Sequence, residues 1–592
     1  MSDPATSRPA ICLNMIVRNE AHIVREVLDS VAPYISSWVI VDTGSDDGTQ
    51  NVIRSHMAGL GIPGELYERP WRNFGHNRTE ALTLARGRGD YIWAIDADDL
   101  VVGELDLGGL TADCYLLRFA KDDVQYWRRQ LFRDGLRWRY EGVLHEYCEC
   151  DDPFVAENLE GNYYIESRRL GARNLDPRKY ARDAELLLAE VQRNPDDARS
   201  VFYLAQSYFD HGDFVSARKW YERRAAMGGF DEETYMAMFR VALSMAHLDE
   251  PLPDVVDAFL RAWEFRPSRA EPLYQTAFQY RTKERYQLGY LFAQRAAQIP
   301  FPEGDDLFVG ADVYNWRAID EQAVCASWID KSPEAFTLCR HLLARRDIPD
   351  EDRKRIAANR DVAAPPVIDA ASTYPDELAQ RLVTGPRDSE VTVTLVAGQD
   401  RAATERMLNS FLQCCTDIAR VGRFLVVPAG PSAEDRETLL ERYPFLEFTD
   451  FALDQAPGAQ LAQIRGQIGG RFWLHLGGGW RFFARERLVA RLTAVLEAEP
   501  DVFQVGINFA DATKLIDTTA PEDAVRRGAD TGRYLLTDTA ARGPAMFDTA
   551  RLDRAGGFDT TAPDPIAELG QRASNAGLGT ASLDEVLGIA GI

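Results

Sequence analysis

Two acidic motifs, each closing an apolar run, constrain this chain more than any other feature. The first is Val39-Ile40-Val41-Asp42-Thr43-Gly44-Ser45-Asp46-Asp47-Gly48-Thr49, and the second is Tyr91-Ile92-Trp93-Ala94-Ile95-Asp96-Ala97-Asp98-Asp99. Short apolar runs bounded by turn residues read as buried parallel strands. The carboxyl ends of such strands are where open α/β sheets bind ligands. Carboxylates gathered there suit a divalent cation that carries a diphosphate.

The surrounding pattern agrees. Ile11 to Val17 reads as a strand, and Arg18-Asn19-Glu20 opens a helix with Ile23, Val27, Leu28 and Val31 at helical spacing. Strands at Val39 to Val41, Leu66 to Glu68 and Tyr91 to Ile95 alternate with helices at Thr49 to Met57 and Glu80 to Arg86. Such alternation implies a parallel sheet with right-handed crossovers. From Asp176 the period changes to long amphipathic helices. Ala198 to Gly229 fits the 34-residue tetratricopeptide template, the same spacing recurs at Ala277, Tyr280, Gly289, Ala293 and Ala296, and a looser copy lies around Ala258, Ala262 and Pro267. Ala363-Ala364-Pro365-Pro366 and its flanks read as a linker. From Glu390 strand and helix alternate again. The expected division is an α/β domain at 1–170, an all-α tetratricopeptide-like solenoid at 171–350, a linker at 351–388 and a second α/β domain at 389–592.

Composition excludes several functions. Lys plus Arg number 67 against 92 Asp plus Glu, a formal charge of -25, so the average field repels nucleic acid and anionic membranes. No apolar run reaches the roughly 18 to 20 residues of a spanning helix, and Met1 to Pro9 has no apolar signal core, so a soluble, cytoplasmic protein is expected. The eight cysteines have neither a disulfide framework nor zinc spacing; Cys148 and Cys150 are too close for the usual zinc knuckle, and ordinary thiols are expected.

On these motifs residues 10–165 resemble glycosyltransferase family 2, whose fold is of the GT-A type. The resemblance implies that Arg18 and Glu20 after the first strand, Asp42 and Asp46, and Arg78 in Asn73-Phe74-Gly75-His76-Asn77-Arg78 bind the nucleotide sugar, Arg78 as a charge-assisted donor to the diphosphate. Asp96-Ala97-Asp98 matches the D-x-D motif. Asp98 is then the metal ligand, with Asp96 in support on the nucleotide and Asp99 as an alternative. Mn²⁺ or Mg²⁺ bridging the phosphates would stabilise the charge that develops as the glycosidic bond breaks. Arg139-Tyr140-Glu141-Gly142-Val143-Leu144-His145-Glu146 resembles the late His-Glu pair of a subset of the family. It implies His145 as a second metal ligand and Glu146 as the base, with Asp122, Asp123 and Glu141 as competing bases; Arg129 and Arg133 are read as partners either of phosphate or simply of local carboxylates.

The second α/β segment lacks these groups: Val426-Val427-Pro428-Ala429-Gly430-Pro431 and His475-Leu476-Gly477-Gly478-Gly479 stand where the acidic motifs would be. It reads as a degenerate GT-A-like domain, with Asp564 and Glu568 as the carboxylates left to substitute. The expected activity is metal-dependent, inverting transfer of a hexose from a nucleoside-diphosphate sugar to a glycan or a protein or peptide acceptor. The helical repeats, with Tyr203, Tyr208, Arg218, Trp220 and Tyr221, are candidates for partner contact. The alternative is a noncatalytic interaction scaffold. A nucleotidyltransferase would want a Gly-rich basic loop where Met15 to Glu20 stands.

Overall fold

A computed structural model describes residues 8–121, 124–305, 307–385, 390–450, 456–512, 520 and 522–590. Asp122 and Asp123 lie outside the described residues. The chain divides into two compact units, Met1–Arg266 with Gly304–Phe308, and Pro267–Glu303 with Val309–Ile592.

In the first unit the strands are β1 (Ile11–Val17), β2 (Ser37–Asp42), β3 (Gly64–Glu68), β4 (Tyr91–Ala94), β5 (Asp99–Gly103), β6 (Cys114–Lys121), β7 (Val124–Arg133), β8 (Trp138–Glu141), β9 (Tyr147–Cys150), β10 (Ala156–Asn158) and β11 (Tyr163–Ser167). The main sheet runs β3-β2-β1-β4-β7-β6-β11-β5, with β10 on β6. Its first four strands are parallel, and β7 joins β4 antiparallel. Alternate side chains of a strand face opposite sides. Leu13, Met15, Ile40 and Trp93 therefore pack on one face with Val24, Val27, Leu28 and Val31 of helix α1 (Val24–Val31). Cys12, Val39, Ile92 and Phe132 pack on the other with Leu82 and Ala85. Helices α2 (Thr49–Leu60) and α3 (Phe74–Ala85) complete the layers, and the Asn73 side chain caps α3 by accepting from His76 N at 2.8 Å.

β8 and β9 form a separate hairpin whose turn carries Gly142 to Glu146. The head of α3 lies close against that turn: a Cβ on Gly75 would come within 2.3 Å of Gly142 O, so only glycine fits. Helices α4 (Lys179–Arg193), α5 (Ala198–His211), α6 (Phe214–Met227), α7 (Asp231–His247) and α8 (Leu252–Phe265) follow as antiparallel pairs. Asp197 and Asp213 cap α5 and α6 through side-chain oxygens, which satisfies amide groups a helix start leaves open. Val143 and Leu144 of the hairpin turn share one buried cluster with Leu187, Val191, Val201 and Leu204 of α4 and α5. Burying each such side chain stabilises by about 1.5–3 kcal/mol. The first helices are thus part of the compact unit that holds the sheet, and the boundary expected at 170 does not separate two cores.

The second unit begins with α9 (Glu271–Thr282), α10 (Tyr286–Ala297), α11 (Ala318–Ser327), α12 (Ser332–Leu343), α13 (Asp350–Ala371) and α14 (Asp376–Thr384). α13 and α14 replace most of the linker expected at 351–388. Pro365 and Pro366 lie inside α13, where buried Ala363, Ala364 and Ile368 join the core cluster, so packing outweighs the proline signal. Its sheet strands are β12 (Val391–Ala397), β13 (Arg423–Pro428), β14 (Leu446–Phe448), β15 (Phe472–Gly477), then, after β16 (Trp480–Phe482), β17 (Val502–Gly506), β18 (Arg526–Gly528), β19 (Gly532–Thr537), β20 (Ala545–Asp548) and β21 (Gly579–Leu583). The order β14-β13-β12-β15-β20 repeats β3-β2-β1-β4-β7.

Candidate active site

The paired ends of β1 and β2 build the first half of the site. Val17 faces Asp42 across the ladder. Asp42 is buried, and its Oδ1 accepts from Gly44 N at 3.0 Å, Ser45 N at 2.9 Å and Gln50 Nε2 at 3.1 Å. Its Oδ2 is buried without a partner, a costly state that a ligand donor would relieve. Asn19, in the left-handed region at φ 58°, accepts from Asp46 N at 2.9 Å and donates its own N–H to Ser45 Oγ at 2.8 Å. Glu20 N donates to Thr49 Oγ1 at 2.8 Å. The two turns are thereby fastened together, with the Asp46 side chain exposed.

Beyond β4, six of the residues expected from sequence line one cleft of about 760 Å³: Glu20, Arg78, Asp96, Asp98, His145 and Glu146. Arg18 lines a second cavity of about 510 Å³ that shares Glu20, Phe74 and Arg173 with the first and includes Thr43 and Trp71. Asp98 accepts from Gly171 N at 2.9 Å through Oδ2, leaving Oδ1 without a hydrogen bond among the described residues. Ala172 N donates to both oxygens of Glu20, at 3.2 and 3.3 Å. Gly171 is confined here: an added Cβ would stand 3.2 Å from Glu20 Oε1 and 3.3 Å from Asp98 Oδ2. Burial, together with the Asp98 charge, pushes the Glu20 carboxyl up to about 7.

Asp96 is differently engaged. Arg78 donates one terminal N–H to its Oδ1, and Arg128 Nη1 donates to Oδ2 at 3.1 Å. Burial alone would raise this carboxyl, but the two guanidinium groups hold it well below the usual range. Arg78 also donates through Nε to Glu146 Oε1 at 2.6 Å. Arg78, read from sequence as a diphosphate donor, is thus shared between two carboxylates, and Glu146, read as the base, keeps one oxygen beyond that ion pair. Asp99 is buried at the head of β5, is not among the cleft residues, and is pushed well above the carboxylate range by burial and then by Asp96.

His145 sits at φ 53° with its ring stacked on Tyr203 of α5, centroids 3.9 Å apart. Loss of water around the ring, then Arg173, Arg199 and Lys179, push its pKa down to about 4, so it is neutral at pH 7 and able to act as a ligand. Arg199 and Tyr203 line the cleft as well. Sequence reasoning missed Arg128, Arg173 and Arg199. Of Arg129 and Arg133, the local-carboxylate alternative holds: Arg129 pairs with Glu149 and donates to Cys148 O, and Arg133 pairs with Asp113, while Arg128, one strand position away on the opposite side, faces the cleft. Glu141 is paired with Arg139 and accepts from Tyr147 Oη at 2.9 Å, away from the cleft residues. Of the repeat residues, Tyr221 is core, and Arg218 pairs with Glu222 and Glu250.

Among the described residues no group of three His, Cys, Asp or Glu side chains could hold a metal by itself. The donor set nevertheless fits an ion of the Mg²⁺ or Mn²⁺ kind, which takes one or two protein carboxylates and completes its shell with substrate phosphates and water. Asp98 Oδ1 and the neutral His145 ring line one cleft and would be the protein donors to such an ion.

In the second unit Ala397 faces Pro428, the register position that Val17 and Asp42 hold in the first. Val391 faces Phe472 as Ile11 faces Tyr91, and the ladder slips by one residue between His475 and Gly477, so the run Gly477 to Gly479, without side-chain oxygens, stands where Asp96 to Asp98 stand in the first unit. Asp564 is paired with Arg542 and Glu568 with Arg572. The eight cysteines are all unpaired. Among the described residues no helix is long and apolar enough to cross a membrane.

The family described as glycosyl transferase family 2 matches residues 12–112. A TPR repeat-containing protein of Synechococcus elongatus is 26% identical over 238 residues, covering 37% of this chain and 57% of that protein, so the chain spans little more than half of this relative. Among solved structures, MamA is similar at 14% identity and a TM-score of 0.24, over 28% of this chain and 87% of that one. GalNAc-T7 with UDP, GalNAc and Mn2+ is similar at 8% identity and a TM-score of 0.29, over 34% of this chain and 44% of that one. Residues 12–112 carry a glycosyl transferase family 2 domain, and the helical pairs that follow it are of the tetratricopeptide type.

Proposed function

We propose that the first unit is a metal-dependent, inverting glycosyltransferase acting on a nucleoside-diphosphate sugar, with a glycan or a protein or peptide as acceptor. The observation that carries this reading is the cleft lined by Asp98, with one open oxygen, and by Glu20, His145 and Glu146; Thr43, next in sequence to Asp42 and its unpartnered Oδ2, lines the adjoining cavity.

Asp42 Oδ2 accepts from the nucleoside, whose N–H or O–H groups supply the missing donor. Asp98 and His145 would hold the divalent ion, which would supply positive charge at the diphosphate. The acceptor oxygen or sulfur attacks the anomeric carbon as the bond to the diphosphate breaks. Its proton passes to the free oxygen of Glu146, which Arg78 holds in place. Arg199 and Tyr203 form the acceptor wall.

The engagement of Asp96 by two arginines favours a second reading, a noncatalytic scaffold, because it leaves one D-x-D carboxylate for metal. One experiment separates the two: incubate the purified chain with Mn²⁺ and a panel of nucleotide sugars and follow release of nucleoside diphosphate, water serving as a weak acceptor. Metal-dependent release from one donor supports the transferase, and its absence across the panel supports the scaffold. Glu146→Gln should then lower turnover about a hundredfold and leave donor affinity nearly unchanged.

A further inference from the structure

The second unit holds a cavity of about 300 Å³ that owes nothing to the degenerate sugar-nucleotide positions. Arg340 of α12, Arg353 of α13, Arg487 and Arg491 at the head of helix Leu488–Ala498, and Arg533 of β19 line it. Six arginines face four carboxylates among its lining residues, in a chain where acidic side chains outnumber basic ones by 92 to 67. The local charge is therefore opposite to that of the whole molecule.

Most of these arginines are already matched. Glu486 and Glu585 are shared by Arg340 and Arg491, and Arg533 donates to Asp584 at 2.7 Å. Two are left. Arg353 is 1% exposed; its terminal nitrogens donate to Arg345 O at 2.7 Å and Leu343 O at 3.1 Å, and its Nε has no partner. Among the described residues it makes no ion pair, and neither does Arg487, which is exposed at the cavity rim. Glu522 and Asp584 act on it only through space, and a buried guanidinium with no hydrogen-bonded counter-charge is expensive to keep. Burial, and then the charge of Arg533, hold the Arg353 pKa below its ordinary value, as expected of a cation awaiting an anion.

We propose that this cavity binds a phosphate dianion, either free or as the monoester of a small sugar or polyol. Guanidinium groups present planar, paired donors that match phosphate oxygens, and the six arginines outnumber the four carboxylates of the lining, so an anion is favoured there. The volume lies at the lower end of ligand cavities, about 300–1,000 Å³, which suits a compact phosphorylated molecule and excludes a polymer.

The test uses the full chain. Titrate inorganic phosphate and glucose 1-phosphate calorimetrically into the parent, Arg487→Ala and Arg353→Met proteins, with glucose and ionic-strength-matched NaCl as controls, and record melting temperatures alongside. The parent should bind saturably and gain melting temperature beyond the NaCl control, and Arg487→Ala should weaken binding about tenfold. Tighter binding of glucose 1-phosphate than of inorganic phosphate identifies the monoester, and the reverse identifies free phosphate. Arg487 is exposed, so its variant decides the matter even if Arg353→Met fails to fold. No saturable binding, or unchanged affinity in Arg487→Ala, overturns the proposal; in the second case the anion sits elsewhere, such as the cleft of the first unit.

Discussion

The imidazole of His145 lies on the phenol ring of Tyr203 with centroids 3.9 Å apart and planes 11° from parallel. One helical turn earlier, Arg199 donates to the carbonyl of His145 at 3.1 Å. The β8–β9 turn, which carries two candidate functional residues, is therefore fixed by the first tetratricopeptide helix pair and not by the sheet alone. The helices complete the cleft as well as extending from it.

Tyr203→Ala should expose this dependence. Losing the stacked pair removes about 0.5–1.5 kcal/mol beyond buried area and frees the His145 ring. Under the transferase reading, acceptor-dependent turnover should fall about tenfold and the Mn²⁺ concentration for half-maximal activity should rise, because the freed ring is a proposed metal donor. Steady-state kinetics in both substrates and a Mn²⁺ titration check this, and a change confined to donor affinity would place Tyr203 on the donor side.

Gly171→Ala probes the contact between the loop after β11 and the two carboxylates. The added methyl would press on Glu20 Oε1 and Asp98 Oδ2, at 3.2 and 3.3 Å, and displace the amide that holds Asp98. We expect the Mn²⁺ concentration for half-maximal activity to rise about tenfold with a melting temperature within about 3 °C of the parent. Metal titrations of activity and thermal melting measure both.

A pH effect should come from the second unit. Loss of water around His475 pushes its pKa from 6.5 down to about 4, while its Nδ1 pairs with Thr394 Oγ1 at 2.7 Å. Because the folded state resists protonation, the stabilisation is present above pH 6.5 and is lost as pH falls toward 4. The parent should lose on the order of 3 kcal/mol at this residue across that window, and His475→Gln should flatten the slope. Urea unfolding at several pH values reads it directly.

What was legible in the sequence was local. The apolar runs ending in Asp42 and Asp96 locate β2 and β4, and the spacing of Ala217 and Tyr221 locates α6, because each signal is complete within one element. What was not legible depends on packing between elements. Arg128 was passed over for Arg129 because only the sheet decides which face a strand residue takes. Val143 and Leu144 read in sequence only as part of the segment leading to His145, yet they are buried against α4 and α5. Pro365 and Pro366 looked like a break, and tertiary burial of their neighbours keeps α13 continuous.

The second sheet should contribute no metal-dependent nucleotide-sugar site. Pro428 holds the register position of Asp42, and Gly477 and Gly479 offer no side-chain oxygen to a cation that needs several. Calorimetric titration of the full chain with its donor and Mn²⁺ should give one site per chain. Two sites would mean a rearranged second centre.

The central claim is that Asp98 anchors metal-dependent transfer, and Asp98→Asn tests it most directly. Measure Mn²⁺-dependent release of nucleoside diphosphate by the full-length parent and variant, with thermal melting of each. The account predicts loss of at least about a thousandfold in turnover with the fold retained, since several kcal/mol of leaving-group stabilisation disappear with the ligand. Turnover close to that of the parent in a well-folded variant would contradict it.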